Sequence, residues 1–212
     1  MQHSFFNQTF HLDARRALFW LEKRWLLIAD VHWGKTHFFQ KHGLSVGHGV
    51  LKQDIKRLAL LIEDYRPEMV LCLGDLIHHE HSLMPSLIDE IAQFRNQHPV
   101  PFTLIRGNHE RFINKLPEGL GIEIIDDLFT TDGITLCHEE EKGKGPQVFG
   151  HLHPKLTLRG QGDYLSLPCF YQQKNNFILP AFSDFCGGKA IELKKDERAF
   201  LCGEDREVIA FP

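Results

Sequence analysis

Met69-Val70-Leu71-Cys72-Leu73-Gly74-Asp75 is the stretch that decides how this chain folds. Its unbroken apolar run reads as a strand buried on both faces, as in the middle of a parallel sheet. The glycine and carboxylate that follow mark the strand's end. Just upstream, Ile55, Leu58, Leu61 and Ile62 fall on one helical face, with Lys52, Lys56 and Glu63 opposite; Pro67 stops that helix. Downstream, a second helix is expected over residues 83–95, then a buried strand at Pro101-Phe102-Thr103-Leu104-Ile105. With a strand ending at Ala29 before them, the order is strand, helix, strand, helix, strand. That order implies parallel pairing through right-handed crossovers.

Further out, Thr9-Phe10-His11-Leu12, Ala17-Leu18-Phe19-Trp20-Leu21 and Trp25 to Ala29 are apolar runs separated by Asp13-Ala14-Arg15-Arg16 and Glu22-Lys23. This reads as a β-meander. From Ile122 the texture changes to short strands between Gly and Asp turns, and a mostly antiparallel sheet is expected. The fold class is therefore α/β, with two packed mixed β-sheets flanked by helices. No repeat or Pro/Ser-rich linker divides residues 1–212, so one domain is expected.

Composition is ordinary for a globular chain: 42% hydrophobic and 25% charged over 212 residues, with a net charge of -4. It excludes a disordered chain and a globally basic coat for nucleic acid. No run of Lys and Arg with interleaved aromatics is present. The five cysteines, Cys72, Cys137, Cys169, Cys186 and Cys202, include no C-x-x-C pair. They read as buried reduced thiols of a cytoplasmic protein. Residues 1–7 carry no signal-peptide pattern and no apolar run is long enough to span a bilayer, so no membrane is expected. The unusual residue is histidine, at fourteen.

The histidines fall into an order. Asp30-Val31-His32 ends the first strand, Gly74-Asp75 the second, and Gly107-Asn108-His109-Glu110 the third. A later strand over residues 133–136 ends in Cys137-His138, and Gln147-Val148-Phe149 ends in Gly150-His151-Leu152-His153. Ligands of α/β sheets bind beyond such carboxyl ends. In extended chain, residues two apart share a face, so Asp30 with His32, and His151 with His153, can converge. Glycines before Asp75, Asn108 and His151 permit tight turns and close approach. Imidazoles, carboxylates and one amide without thiolate suit Mn, Fe or Zn. The set is too large for one tetrahedral ion and suits two ions sharing a carboxylate.

Taken together, D-x-H, G-D, G-N-H-E, a lone His and G-H-x-H resemble the signature of calcineurin-like metallophosphoesterases. Cys137 stands where that family commonly has Gly, and His78 where many relatives place an acid. A closer likeness covers Trp33-Gly34-Lys35, Gly150-His151-Leu152-His153-Pro154, Leu167-Pro168-Cys169-Phe170, Leu179-Pro180-Ala181-Phe182 and Phe185-Cys186-Gly187-Gly188. These resemble the ligase-associated DNA-damage-response (PdeM-like) phosphoesterases. The resemblance implies a first metal held by Asp30, His32 and His153, a second held by Asn108, His138 and His151, and Asp75 bridging them. It implies two divalent ions, Mn foremost with Fe and Zn as alternatives. It implies His109 as the residue stabilising or protonating the leaving oxygen, or else one that only orients ligands.

Glu110 reads either as an acceptor for a ligand imidazole or as a plain surface carboxylate. His37, His42, His78, His79 and His81, with Lys35, Lys41 and Arg111, read as substrate-facing residues or as solvated loop. The expected activity is hydrolysis of phosphodiesters, DNA among them by resemblance, in DNA repair as an endonuclease. Phosphomonoesterase or cyclic-nucleotide phosphodiesterase activity is the alternative, and a non-catalytic scaffold of the same fold a further one. No P-loop and no nucleophile elbow is present, which removes kinase and acyl-hydrolase chemistry.

Overall fold

The computed structural model describes residues 1–41, 49–160, 162–203 and 207–211. The chain opens with an antiparallel meander of β1 (Gln2–Phe5), β2 (Gln8–Asp13), β3 (Ala17–Trp20) and β4 (Trp25–Ile28). Then come α1 (Lys35–Lys41), α2 (Val50–Tyr65), β5 (Met69–Leu73), α3 (Pro85–Gln97), β6 (Phe102–Ile105) and β7 (Ile122–Ile125). Strands β1 to β7 lie side by side in chain order, and β4 to β7 pair parallel. The change of texture at Ile122 does not mark the sheet boundary. β7 belongs to the first sheet, paired with β6 from Phe102↔Ile122 to Ile105↔Ile125. The second helix begins at Pro85, two residues later than expected, because a 3-10 turn at Glu80–Ser82 occupies the approach. Proline at the helix start loses no intrahelical bond there.

The second sheet holds β8 (Phe129–Thr131), β9 (Ile134–Leu136), β10 (Gln147–Phe149), β11 (Pro154–Arg159) and β12 (Tyr164–Gln173). It is completed by β13 (Asn176–Ile178), β14 (Lys189–Ala190), β15 (Arg198–Cys202) and β16 (Val208–Phe211). Most of its pairs are antiparallel, as expected, but β10 runs parallel to both β9 and β13. Both sheets are therefore mixed.

Alternation along the central strands sorts the core. Leu26 and Ile28, Val70 and Cys72, Phe102 and Leu104 face α2 and α3, where Leu58, Leu61, Ile91 and Phe94 meet them. Leu27, Leu71, Leu73 and Ile105 face the other sheet and pack on Leu136, Val148, Phe170 and Phe177. The α-helices cover the first sheet only; loop residues such as Leu128, Leu152 and Leu193 cover the outer face of the second. In this arrangement the carboxyl ends of β4, β5 and β6 and those of β9 and β10 lie along one seam between the sheets. Across it, the His151 amide donates to Asp30 Oδ2 at 2.9 Å and the Phe182 amide donates to the Ala29 carbonyl at 2.8 Å.

Candidate metal centre

The loops after β4 and β5 are zipped together past the ends of their strands. Asp30 N donates to Gly74 O at 3.1 Å, His32 N to Asp75 O at 2.8 Å, and Trp33 N to Leu76 O at 2.7 Å. This zip holds an unusual backbone. Asp30, His32, Asp75, His151 and His153 all have φ between 49° and 61°. Asp30 and His32 do converge, but not as extended chain; His151 and His153 part, one to each of two groups of donors. Each of these residues is left-handed, a conformation that costs an L residue about 1–2 kcal/mol and clusters at functional sites. The preceding glycines matter for room. A Cβ on Gly74, which has φ +83°, would strike the His138 ring. One on Gly150 would meet Ala29 Cβ and Asp30 Oδ2, each at 2.5 Å.

Two groups of donor atoms result, each gathered within 4.8 Å: Asp30, His32 and His153, and Asp75, His138 and His151. Asp75 Oδ2 lies between them, 3.8 Å from His32 Nε2 and 3.4 Å from His138 Nε2. Asn108 Oδ1 is 2.9 Å from His138 Nε2, so it joins the second group. All seven residues expected to hold metal thus meet at the seam. His32, His78 and His109 form a further cluster of ring nitrogens.

The donors fit divalent cations. Asp30 Oδ1 and His32 Nε2 are buried and make no hydrogen bond, although His153 Nε2 lies 3.1 Å from that oxygen. Such orphaned acceptors cost free energy unless something positive meets them. His138 Nδ1 donates to the Leu73 carbonyl at 2.9 Å, which leaves the Nε2 lone pair of the neutral ring facing the cluster. The thiols stay out of the set: burial pushes Cys186 up to about 12 and Cys72 well above its ordinary value. All five cysteines are buried and unbridged.

The charges are strongly coupled. Burial holds the His32 ring down to about 2. Burial also opposes charging of His138, but its hydrogen bond and proximity to Asp75 outweigh that and raise it to about 9. The metal-free ring of His138 is therefore protonated near neutral pH and gives up that proton when its Nε2 meets a cation. Burial would raise Asp75, and His138, His32 and the His109 amide reverse the sign, holding it below the usual carboxylate range.

His109 stands beside the donors. Its Nδ1 lies 2.5 Å from the His78 carbonyl, which can only accept, and its Nε2 is 3.9 Å from Asp75 Oδ2. His78 stacks on His109 with ring centroids 4.9 Å apart, and its Nδ1 is 3.4 Å from His32 Nδ1. Burial, with His109 and Lys35 adding to it, takes His78 down to about 4, so it is neutral at neutral pH. Of the other fringe residues, His79 accepts from the His81 amide in the 3-10 turn, and His37 is exposed. His42 lies outside the described residues, and so does the side chain of Lys41.

Glu110 fits neither reading offered for it. It is fully buried and, among the described residues, has no hydrogen bond to a ligand imidazole. Its Oε2 accepts from the amides of Asp75 at 3.1 Å and Gly107 at 3.0 Å, and its Oε1 from the amide of Ile77 at 2.7 Å. It ties the β5 and β6 loops into one piece. The carbonyls of Leu73 and His78 that orient His138 and His109 escape sequence reading as well, because a backbone acceptor leaves no mark in residue type.

A family model described as calcineurin-like phosphoesterase matches residues 23–181. The chain belongs to that family. Among solved structures it is similar to nuclease MPE from Pseudomonas putida, with a TM-score of 0.87 and 31% identity over 100% of this chain and 99% of that one. A protein of unknown function from Aquifex aeolicus, AQ665, aligns with a TM-score of 0.43 and 16% identity, over 61% of this chain and 78% of its own. No curated protein matches. The chain is thus a metal-dependent hydrolase of phosphoesters, of a family that implies a dinuclear divalent site. Among the described residues, no helix is long and apolar enough to cross a membrane.

Proposed function

We propose that this phosphoesterase hydrolyses phosphodiesters of nucleic acid as an endonuclease in DNA repair, in the ligase-associated DNA-damage-response branch. The observation that carries the reading is the position of Asp75 Oδ2, 3.4 to 3.9 Å from the Nε2 atoms of His138, His32 and His109. Full-length similarity to a nuclease supports the nucleic-acid part. Asp30, His32 and His153 would hold one ion, Asn108, His138 and His151 the other, with Asp75 shared. When bound, two such ions, Mn foremost, supply charge that activates water and neutralises phosphate oxygens. Asp75 must be a carboxylate for this, since an amide gives no charge compensation to two dications.

His109 handles the proton. The carbonyl at Nδ1 fixes the ring so that protonation occurs at Nε2, the atom facing Asp75. An imidazolium so oriented donates Nε2–H to the leaving oxygen, then returns to the neutral tautomer. The buried unbridged cysteines support a reducing compartment, the cytoplasm. A single-chain reading of residues 1–212 as one domain is supported by the interior shared between the two sheets.

Chelation of the purified protein should abolish hydrolysis of a bis-aryl phosphate, with Mn restoring it better than Mg or Zn. Faster hydrolysis of the mono-aryl than the bis-aryl phosphate would sink the diesterase reading, and activity in rigorously metal-free protein would sink the mechanism.

A further inference from the structure

A cavity of about 580 Å³ is lined by none of the metal-centre residues and has no part in the chemistry above. It opens where the β2–β3 turn, α2 and the β11–β12 hairpin meet. Arg15, Arg16, Lys56, Arg57 and Lys155 line it, and among the described residues no acidic side chain does. This is unexpected in a chain of net charge -4. The cations come from distant parts of the sequence, so no basic run announces them.

Their partners separate them. Arg15 is committed to Asp13 at 2.7 Å and Asp64 at 2.6 Å. Arg16 and Arg57 share the single carboxylate of Asp184, and Arg57 also lies 3.6 Å from Asp54. That last carboxyl is itself buried and pushed up to about 6, which weakens it as a counter-charge near neutral pH. The Lys56 and Lys155 ammonium groups have no ion pair or hydrogen bond among the described residues. The cavity also offers apolar wall, at Leu60 and Leu167.

It is joined to the metal centre. A second, smaller cavity shares Arg16, Lys155 and Pro168 with the first and is lined at its other side by His153. Lys155 follows His153 by two residues on β11. The smaller cavity thus sets His153 beside Lys155 and Arg16, with Asp184 also in its wall, and Lys56 lines the larger one. Resting on the nuclease reading above, we infer that this basic cavity is a substrate subsite. It takes the phosphodiester backbone of a nucleic-acid strand beyond the scissile linkage. Cations without carboxylate partners are what a repeating phosphate needs, and the apolar walls accept sugar and base. A small ester held only at the metals does not reach Lys56, which lines the larger cavity alone.

The test uses Lys56→Glu, Lys155→Glu and the double variant, with a short labelled single-stranded DNA as probe. Binding is read by fluorescence anisotropy in chelator, so that it does not depend on cleavage. The double variant should bind the strand at least about tenfold more weakly. The slope of log affinity against log salt should fall by about 1.4, since each phosphate that a lysine no longer neutralises takes away ~0.7. Lys56→Glu should hydrolyse bis(p-nitrophenyl) phosphate within about twofold of wild type, because that ester is too small to reach the subsite. Lys56→Gln with Lys155→Gln should give an intermediate loss and serves if the reversals lower the melting temperature. Unchanged DNA affinity in the double variant, or no binding by wild type, overturns the subsite. Wild-type binding through these lysines without cleavage of the strand by the Mn-loaded protein supports the subsite and overturns the nuclease reading instead.

Discussion

Asp75 Oδ2 and His109 Nε2 lie 3.9 Å apart, and the proposed mechanism gives the two residues opposite tasks. The carboxylate lies between two groups of donors, whereas the histidine has one nitrogen occupied by a carbonyl and the other turned to the cleft. Asp75→Asn keeps the shape and removes the charge that two dications need. It should lose both turnover and most bound metal. His109→Ala removes a proton donor only and should cut turnover by about 10²–10⁴ while metal content stays at the wild-type level. Elemental analysis beside bis-aryl phosphate kinetics checks both. An emptied site in His109→Ala would make His109 a ligand rather than a proton donor.

At the scale of elements, the loops that follow β4, β5, β6, β9 and β10 carry the site, and here sequence reading succeeds and fails for identifiable reasons. Unbroken apolar runs such as Met69–Leu73 expose buried parallel strands, because both faces of such a strand need apolar side chains. The polar residues at their ends are legible because ligand chemistry restricts residue type. β7 misleads because its burial is only partial at the sheet edge, so Ile122–Ile125 resembles the short strands that follow. The left-handed backbone of Asp30 and His32 is nearly invisible, since Asp and His favour it only weakly and glycine alone signals it strongly. Glu110 is ambiguous because its partners are backbone amides. Removing that carboxylate should show its weight. Glu110→Ala strands three buried N–H donors and should cost about 3 kcal/mol or more, which in a chain this size lowers the melting temperature by about 6–12 °C. Glu110→Gln keeps one acceptor oxygen and should fall between. Gly74→Ala is expected to differ in kind. Its φ of +83° and the His138 ring against it mean that the new methyl displaces a ligand, so metal should be lost.

For the whole molecule, the decisive fact is that neither sheet holds the site alone. Asp30, His32, Asp75 and Asn108 follow strands of the first sheet; His138, His151 and His153 follow strands of the second. Between the sheets lies an apolar interior that includes Leu27, Leu71, Val148 and Phe177, which packs them without aligning charged atoms to a fraction of an ångström. Ions shared across the seam would bind the folded arrangement and not the unfolded chain. At a hundredfold excess over the dissociation constant, such binding stabilises by about 2.7 kcal/mol. For a domain of this length that corresponds to a rise in melting temperature of about 5–10 °C. Wild type should show that rise on replacing chelator with Mn, and His109→Ala should show the same rise, because it keeps the donors. Asp75→Asn should show little or none. An equal rise in Asp75→Asn would mean that the metal stabilises the protein from somewhere other than the seam, and the two sheets would then owe their alignment to the apolar interior alone.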